Sequence, residues 1–327
     1  MVKKIKISID LMSGENSPNK TLEGIDLFIK RNKSYDDFFF YLCGDENIIN
    51  DKIKKFTTLK NNYEVIDTKI VVSDDLPPLS AIKKGKDSSM WKSIESQISI
   101  NSDVSLSAGN TGVLLIMSKM ILKTLDGVDK PALAGLWPNK VNMNVVLDLG
   151  ANVECSEKNL VDFSEMGSAL YQSLYPNDKS KVALLNIGSE EIKGTELLKN
   201  TYSKLKILDK FGNFEFAGYI EGNQITEGKC NVIVTDGFTG NVALKTAEGT
   251  ANFLTQNLKQ ALSSNIFSKL STILSYFPLK KFKNKLDPRK YNGAIFLGLN
   301  GPVVKSHGST DGLGFSYSIE VCYKIAK

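Results

Sequence analysis

Three observations predict a three-layer α/β/α fold on a largely parallel sheet. Short apolar strands alternate with amphipathic helices, several strands run into a glycine-bearing turn that opens a helix, and no repeat or long Pro/Gly linker divides the 327 residues. The length alone permits one long α/β domain or two smaller ones. The uninterrupted pattern reads as one domain over 1–327, with a helical arm projecting at about 253–290.

The alternation of Ile5, Ile7 and Ile9 gives a first strand that ends in Asp10 and the turn MSGENSP. Asp10 directly behind so short an apolar run argues against a signal peptide. A helix over 21–30, a strand over 38–43 and a helix over 46–56 follow, the rhythm of a parallel sheet covered on both faces. Strands are expected near 63–66 and 70–72. A lysine-bearing segment with Lys83, Lys84 and Lys86 and a helix to about Ile100 come next. Strands at 103–107, 130–138 and 141–150, a helix over 157–175, a strand ending at Asn186 and a helix from about Lys193 to Leu208 continue the pattern. Strands at 214–220 and 232–234 complete it before the chain turns helical.

Apolar residues at 254, 258, 262, 266, 270, 274 and 277 have the spacing of an amphipathic helix or helical hairpin. Ser263-Ser264-Asn265 marks a break and Pro278 the expected end, before the basic run LKKFKNKLDPRK. Strands at 294–299 and 302–306 and a final helix after Asp311 return the chain to the core.

The net charge of +5 is spread over lysines interleaved with acids, which is not the footprint of a nucleic-acid-binding protein. Arg31 and Arg289 are the only arginines. The four cysteines form no CxxC pair and three sit in apolar stretches, so reduced thiols in a cytosolic protein are expected. One histidine, His307, leaves no His-rich zinc site, and no metal or cofactor is expected. The longest apolar run, VLLIM at 113–117, is too short to span a bilayer.

Four glycine-bearing turns carry the candidate chemistry. They hold Ser107, Gly109, Asn110 and Thr111; Asn186, Gly188 and Lys193; Asp236, Gly237, Gly240 and Asn241, with Lys245 one helical turn on; and Lys305, His307, Gly308 and Ser309. At the C-termini of parallel strands they would meet on one sheet edge, where open α/β folds bind ligands. None matches a dinucleotide fingerprint, a phosphate loop or a nucleophile elbow. Neutral donors combined with lysines and one histidine suit an oxyanion such as phosphate beside a polarised carbonyl, without a covalent enzyme intermediate. An Asp-capped strand-to-helix turn accounts equally for 236–241, and a lone histidine is often structural. Asp10, Asp148 and Asp236 at strand ends fit caps, metal ligands or positioning groups.

The motifs SAGNTG (107–112), LDLGAN (147–152), LLNIGSEEIKG (184–194), DGFTGNVALKTAEG (236–249) and YNGAIFLGL with VVKSHGSTD (291–311) closely resemble the bacterial phosphate acyltransferases of phospholipid synthesis, the PlsX family. The resemblance runs from the first strand nearly to the C-terminus. It implies transfer of a fatty acyl group from acylated acyl carrier protein to inorganic phosphate. The acyl phosphate would be consumed by a membrane glycerol-3-phosphate acyltransferase. It also implies a fold similar to isocitrate and isopropylmalate dehydrogenases, a homodimer, and a cytoplasmic protein in peripheral contact with an anionic membrane through the arm. On this basis Lys245, Asn241, His307, Lys193 and Asn110 are the expected catalytic residues. Asp10, Ser107, Gly109, Thr111, Asn186, Gly188, Asp236, Gly237, Gly240, Lys305, Gly308 and Ser309 are the expected binding residues. The chain departs from the family in its first loop, DLMSGE where the family has DAMGGD, in Lys130 where an arginine is usual, and in a short C-terminal helix.

Two other classes compete. A nicotinamide-dependent β-decarboxylating dehydrogenase on the same fold would need a metal-binding aspartate cluster and carboxylate-binding arginines. A non-catalytic carrier-protein or membrane-surface module would rest on the amphipathic arm.

Overall fold

Ile7 and Ile9 carry no exposed surface, and Ser8 and Asp10 beside them are buried too, so β1 (Ile5–Asp10) is covered on both faces. This marks a sheet with helices above and below it. The computed structural model describes residues 4–32, 37–56, 58–59, 62–73 and 78–327. Within them α1 (Asn19–Arg31), β2 (Phe38–Gly44), α2 (Glu46–Ile53), β3 (Tyr63–Asp67), α3 (Pro78–Lys84), α4 (Ser89–Ser99), β4 (Val104–Ser107) and α5 (Thr111–Leu122) form the first half. A central group follows: β5 (Ala132–Pro138), β6 (Met143–Leu147), α6 (Glu157–Leu174), β7 (Lys181–Leu185), α7 (Glu196–Leu208), β8 (Glu215–Ile220) and β9 (Val232–Val234). The chain then builds α8 (Gly237–Ser263), α9 (Ile266–Leu274) and α10 (Tyr276–Leu286) before β10 (Ala294–Leu297), β11 (Val303–Lys305) and α11 (Gly312–Ala326).

The strands make one sheet in the order β3-β2-β1-β4-β11-β10-β5-β6-β9-β7-β8. It is parallel except at its centre, where β11–β10, β10–β5 and β5–β6 pair antiparallel. These reversals set β6, β7, β8 and β9 in the opposite sense to β1, β4 and β11. The four glycine turns therefore do not share one edge. Only four residues join β5 to β6 and five join β10 to β11, too few for the crossover that parallel strands require.

Side-chain caps start most helices: Asp45, Ser88, Asn110, Ser156, Thr195, Asp236 and Asp311 each accept from a backbone N–H of the first turn. Leu22, Ile25 and Phe28 of α1 pack against α11, and Gly24 permits the approach, since a Cβ there would lie 2.7 Å from Phe315. All four cysteines are free, and burial pushes the Cys43 thiol up to about 12 and that of Cys230 up to about 11.

Three local expectations fail. Residues 70–72 are not a strand; Val72 is buried in the core while Ile70 and Val71 are exposed. Pro278 does not end the arm but lies in the first turn of α10, where its missing N–H has no helical partner to lose, and α10 carries the basic run. α7 starts at Glu196 behind its Thr195 cap, beyond Lys193.

Candidate active site

Gly237 and Gly240 open α8 against the segment Asp148–Asn152. A Cβ on Gly240 would stand 1.9 Å from the Asp148 carbonyl oxygen, and one on Gly237 2.5 Å from that of Asn152. Their backbone N–H groups are engaged within the protein. That of Gly237 donates to the Asn152 carbonyl (2.8 Å) and that of Gly240 to the Asp236 carbonyl (2.9 Å). Asp236 caps the helix through the Thr239 N–H and hydroxyl, both at 2.8 Å. These glycines thus allow backbone to approach backbone, and their N–H groups are already engaged, so a ligand nearby would be met by side chains.

Asp148 is the buried anchor of this contact. Its carboxylate accepts from the backbone N–H groups of Leu133, Gly150, Ala151 and Asn152 and from the Asn152 amide. Burial raises its pKa above the ordinary carboxylate value, with these hydrogen bonds pulling the other way.

Asn241, Lys245 and Glu248 follow at helical spacing. Lys245 Nζ reaches Glu248 at 2.7 Å and His307 Nε2 at 3.2 Å. The other ring nitrogen, Nδ1, meets the Ser309 hydroxyl at 3.0 Å, while the His307 N–H donates to Asn292 Oδ1 at 2.9 Å. His307 opens onto the cleft, yet desolvation by the cleft walls and then the charges of Lys245, Lys305 and Lys20 lower its pKa. Its imidazole is therefore neutral at pH 7. Lys20 is a buried lysine whose ammonium donates to the Gly308 carbonyl beneath the histidine loop.

These residues border a cleft of about 950 Å³ between α8, β5 and the loop after β11. Its polar lining includes Thr111, Asn241, Lys245, Lys305, His307 and Ser309, and its apolar lining includes Leu244 and Ala247 of α8 together with Leu133, Trp137 and Leu149. The cleft thus joins a cationic, hydrogen-bonding end to an apolar trough. Both arginines are already occupied. Arg289 is ion-paired to Asp287 and Asp311, and Arg31 to Glu320 while it lies over Tyr317. An anion entering the cleft would meet Lys245, which shares its charge with Glu248, and Lys305.

A family model described as "Fatty acid synthesis protein" matches residues 5–327. A phosphate acyltransferase of Pelagibacter ubique is 56% identical over 325 residues, covering 99% of this chain and 96% of the relative. One from Rhodospirillum rubrum is 42% identical over 327 residues, covering 100% and 92%. The chain belongs to the phosphate acyltransferase family. It is an acyltransferase of fatty acid and phospholipid synthesis. In fold it is similar to phosphotransacetylases from Staphylococcus aureus (TM-score 0.62, 14% identity, 100% and 96% covered) and Streptococcus pyogenes (0.63, 15%, 99% and 94%). A 4-hydroxythreonine-4-phosphate dehydrogenase from Klebsiella pneumoniae is also similar (0.51, 12%, 100% and 98%).

Not all the family's expected site residues meet in the cleft. Asn110 caps α5, with Oδ1 accepting from Gly112 and Val113, and places Thr111 on the rim. Ser107 donates to buried Asp10 at 2.7 Å and receives the Gly109 N–H, which ties the first loop to the second. Asn186 and Lys193 staple their own loop: the Asn186 amide donates to the Lys193 carbonyl, and a Cβ on Gly188 would crowd Glu190 and Lys193. That loop does not line the cleft. Lys130, in place of the usual arginine, donates to the Glu154 carbonyl at 2.8 Å. Glu15 donates its backbone N–H to Gly308.

Sequence reasoning missed Lys20 and Asn292. Lysine at a helix start reads as solvated, and only the fold shows Lys20 buried. Asn292 lay inside the quoted YNGAIFLGL motif, where a polar residue just ahead of a strand was the available signal. Among the described residues no helix is long and apolar enough to cross a membrane, and no group of three or more His, Cys, Asp or Glu is placed to hold a metal ion.

Proposed function

We propose that the chain transfers a long-chain acyl group from the thioester of acyl carrier protein to inorganic phosphate, releasing acyl phosphate and the free carrier thiol. The observation that carries this reading is the cleft itself: three lysine charges gather around a neutral histidine where an apolar trough begins. Lys245 and Lys305, with Lys20 behind them, hold the phosphate dianion, and Thr111, Asn241 and Ser309 supply neutral donors. A phosphate oxygen attacks the thioester carbonyl carbon. The C–O bond forms, the oxyanion is held by these donors and Lys245, and the C–S bond breaks as the oxyanion collapses. Neutral His307 accepts the phosphate proton and passes it to the departing thiolate.

The arm fits the partners of this reaction. Ile266, Phe267, Ile273, Leu274 and Phe277 are exposed beside the lysines of α10. That combination suits peripheral contact with an anionic membrane and, on the same surface, a second copy of the chain or the acidic carrier protein. Delivery of acyl phosphate to a membrane glycerol-3-phosphate acyltransferase would follow.

Incubation with acyl carrier protein bearing a labelled hexadecanoyl group tests the proposal. With phosphate, acyl phosphate and free thiol form in equal amounts. Without phosphate, a stable labelled acyl-enzyme would overturn direct displacement.

A further inference from the structure

Within the transferase reading, on which this inference rests, α8 has an unusual relation to the sheet. Of its 27 residues only Gly237 and Gly240 are buried. Beyond the first turn the helix carries two adjacent stripes. Asn241, Lys245, Glu248 and Asn252 recur at +4, +7 and +11 and form the polar one, which meets His307. Leu244, Ala247 and Ala251 recur at +3 and +7, and all three are half-buried towards the cleft.

Opposite them, alternate residues of β5 form the floor, Leu133, Gly135 and Trp137. A Cβ on Gly135 would lie 2.5 Å from Leu149 Cδ1, so glycine keeps this floor low. Gly135 on the floor and Ala247 and Ala251 on α8 are small where larger side chains would narrow the space. Protein interiors rarely leave such volume unfilled. At about 950 Å³ the cleft lies at the upper end of the roughly 300–1,000 Å³ typical of ligand pockets. The floor from Leu133 to Trp137 spans about 13 Å at the usual strand rise. Sheet register brings it level with the cationic end, since Lys305 pairs with Ala294, whose neighbour Ile295 pairs with Ala134.

We propose that the trough between the Leu244–Ala247–Ala251 stripe of α8 and the Leu133–Gly135–Trp137 floor of β5 is the acyl-chain channel, and that Ala247 and Ala251 set the chain length accepted. The tail lies along the apolar stripe while the thioester carbonyl sits at the neighbouring polar stripe. An aromatic at either alanine fills the channel without entering the core, because α8 is not packed onto the sheet there.

The test compares Ala247→Phe and Ala251→Phe with the unaltered enzyme on hexadecanoyl- and octanoyl-acyl carrier protein, with phosphate saturating. Each buried methylene is worth about fourfold in affinity, so excluding about three of them lowers the hexadecanoyl-to-octanoyl ratio of kcat/KM about 60-fold. A ratio within about threefold of the unaltered enzyme in both variants overturns the channel. A second measurement does not need turnover. Trp91→Phe leaves Trp137 as the single tryptophan, and brominated hexadecanoic acid in the channel quenches its emission. No quenching at concentrations that inhibit the enzyme also overturns the assignment. The two readings separate cleanly: quenching without acyl phosphate from any chain length keeps the channel and sinks the transferase, whereas turnover with an unaltered ratio and no quenching does the reverse.

Discussion

Helices α8 and α11 begin alike and end in opposite situations. Each starts with an aspartate cap followed at once by glycine and has another glycine within its first turn, Asp236-Gly237 with Gly240 and Asp311-Gly312 with Gly314. α11 then buries Phe315, Ile319, Cys322 and Tyr323 against α1 and the sheet. α8 buries nothing beyond its first turn. Large apolar residues at core spacing pull α11 down; at the same offsets α8 has Gly240, Leu244, Ala247 and Glu248, and it stands off with the cleft beneath it. A helix start alone does not tell a structural helix from one that roofs a site. The residues one and two turns further in do.

The glycines sharpen this contrast most. In α8, Gly240→Ala puts a methyl 1.9 Å from the Asp148 carbonyl oxygen, which is backbone and cannot rotate away. In α11, Gly314→Ala also meets an atom at 1.9 Å, but that atom is the Thr310 hydroxyl, the end of a rotatable side chain. Gly240→Ala is expected to cost about 3 kcal/mol or more and to abolish turnover by displacing Asn241 and Lys245, whereas Gly314→Ala costs about 1 kcal/mol. Urea denaturation of the two variants compares them directly. Equal losses would show that α8 is less firmly seated than its glycines indicate.

The next effect is on activity and belongs to α8 alone. Lys245→Met removes the charge that abuts His307 and, in the proposed reaction, holds phosphate, and a loss of about 100-fold in kcat/KM is expected from removal of one such group. Its pH dependence carries a second signature. Desolvation first, and Lys245 second, lower the His307 pKa, so the neutral form that the proposed proton transfer needs persists below the ordinary histidine range. The acid limb of kcat/KM for the unaltered enzyme therefore falls below about pH 6.5. Without Lys245 that limb moves up towards the ordinary value, though not fully, because desolvation remains. A limb that stays in place would remove His307 from the proton path.

Much of this architecture is legible in the sequence. The period-2 run of Ile5, Ile7 and Ile9, the strand-to-helix turns and the capping Asp residues each specify local structure by their own chemistry. The polarity of the sheet is harder to see, although a loop length carries the signal. Four residues between β5 and β6 permit a hairpin and nothing longer, and reading that spacing would have separated the loops after β6, β7 and β9 from those after β4 and β11. The turn at 186–194 carries glycine, asparagine and a hydroxyl residue like the one at 236–241, yet its amide and carbonyl groups close on themselves and it stays off the cleft. Composition marks a turn as able to hold an anion, and only the direction taken by the following helix decides whether it meets the rest of the site. Lys20 was illegible for a related reason: its burial depends on the Gly308 loop, 288 residues away.

The smallest expected effect tests the freedom of α8 itself. Gly249 lies in the helix interior, and a Cβ added there meets nothing within 4 Å. Glycine in such a position costs about 1 kcal/mol relative to alanine, through backbone entropy alone. Gly249→Ala is therefore expected to stabilise the protein by up to that amount, seen as a rise of about 2 °C in Tm. Because Gly249 belongs to neither the polar nor the apolar stripe, it touches neither the cationic end nor the trough. If Gly249→Ala raises Tm and leaves the hexadecanoyl-to-octanoyl ratio alone, the roof works as a rigid wall. If it slows turnover while raising Tm, bending at Gly249 is part of how the acyl chain enters, and α8 differs from α11 in flexibility as well as in packing.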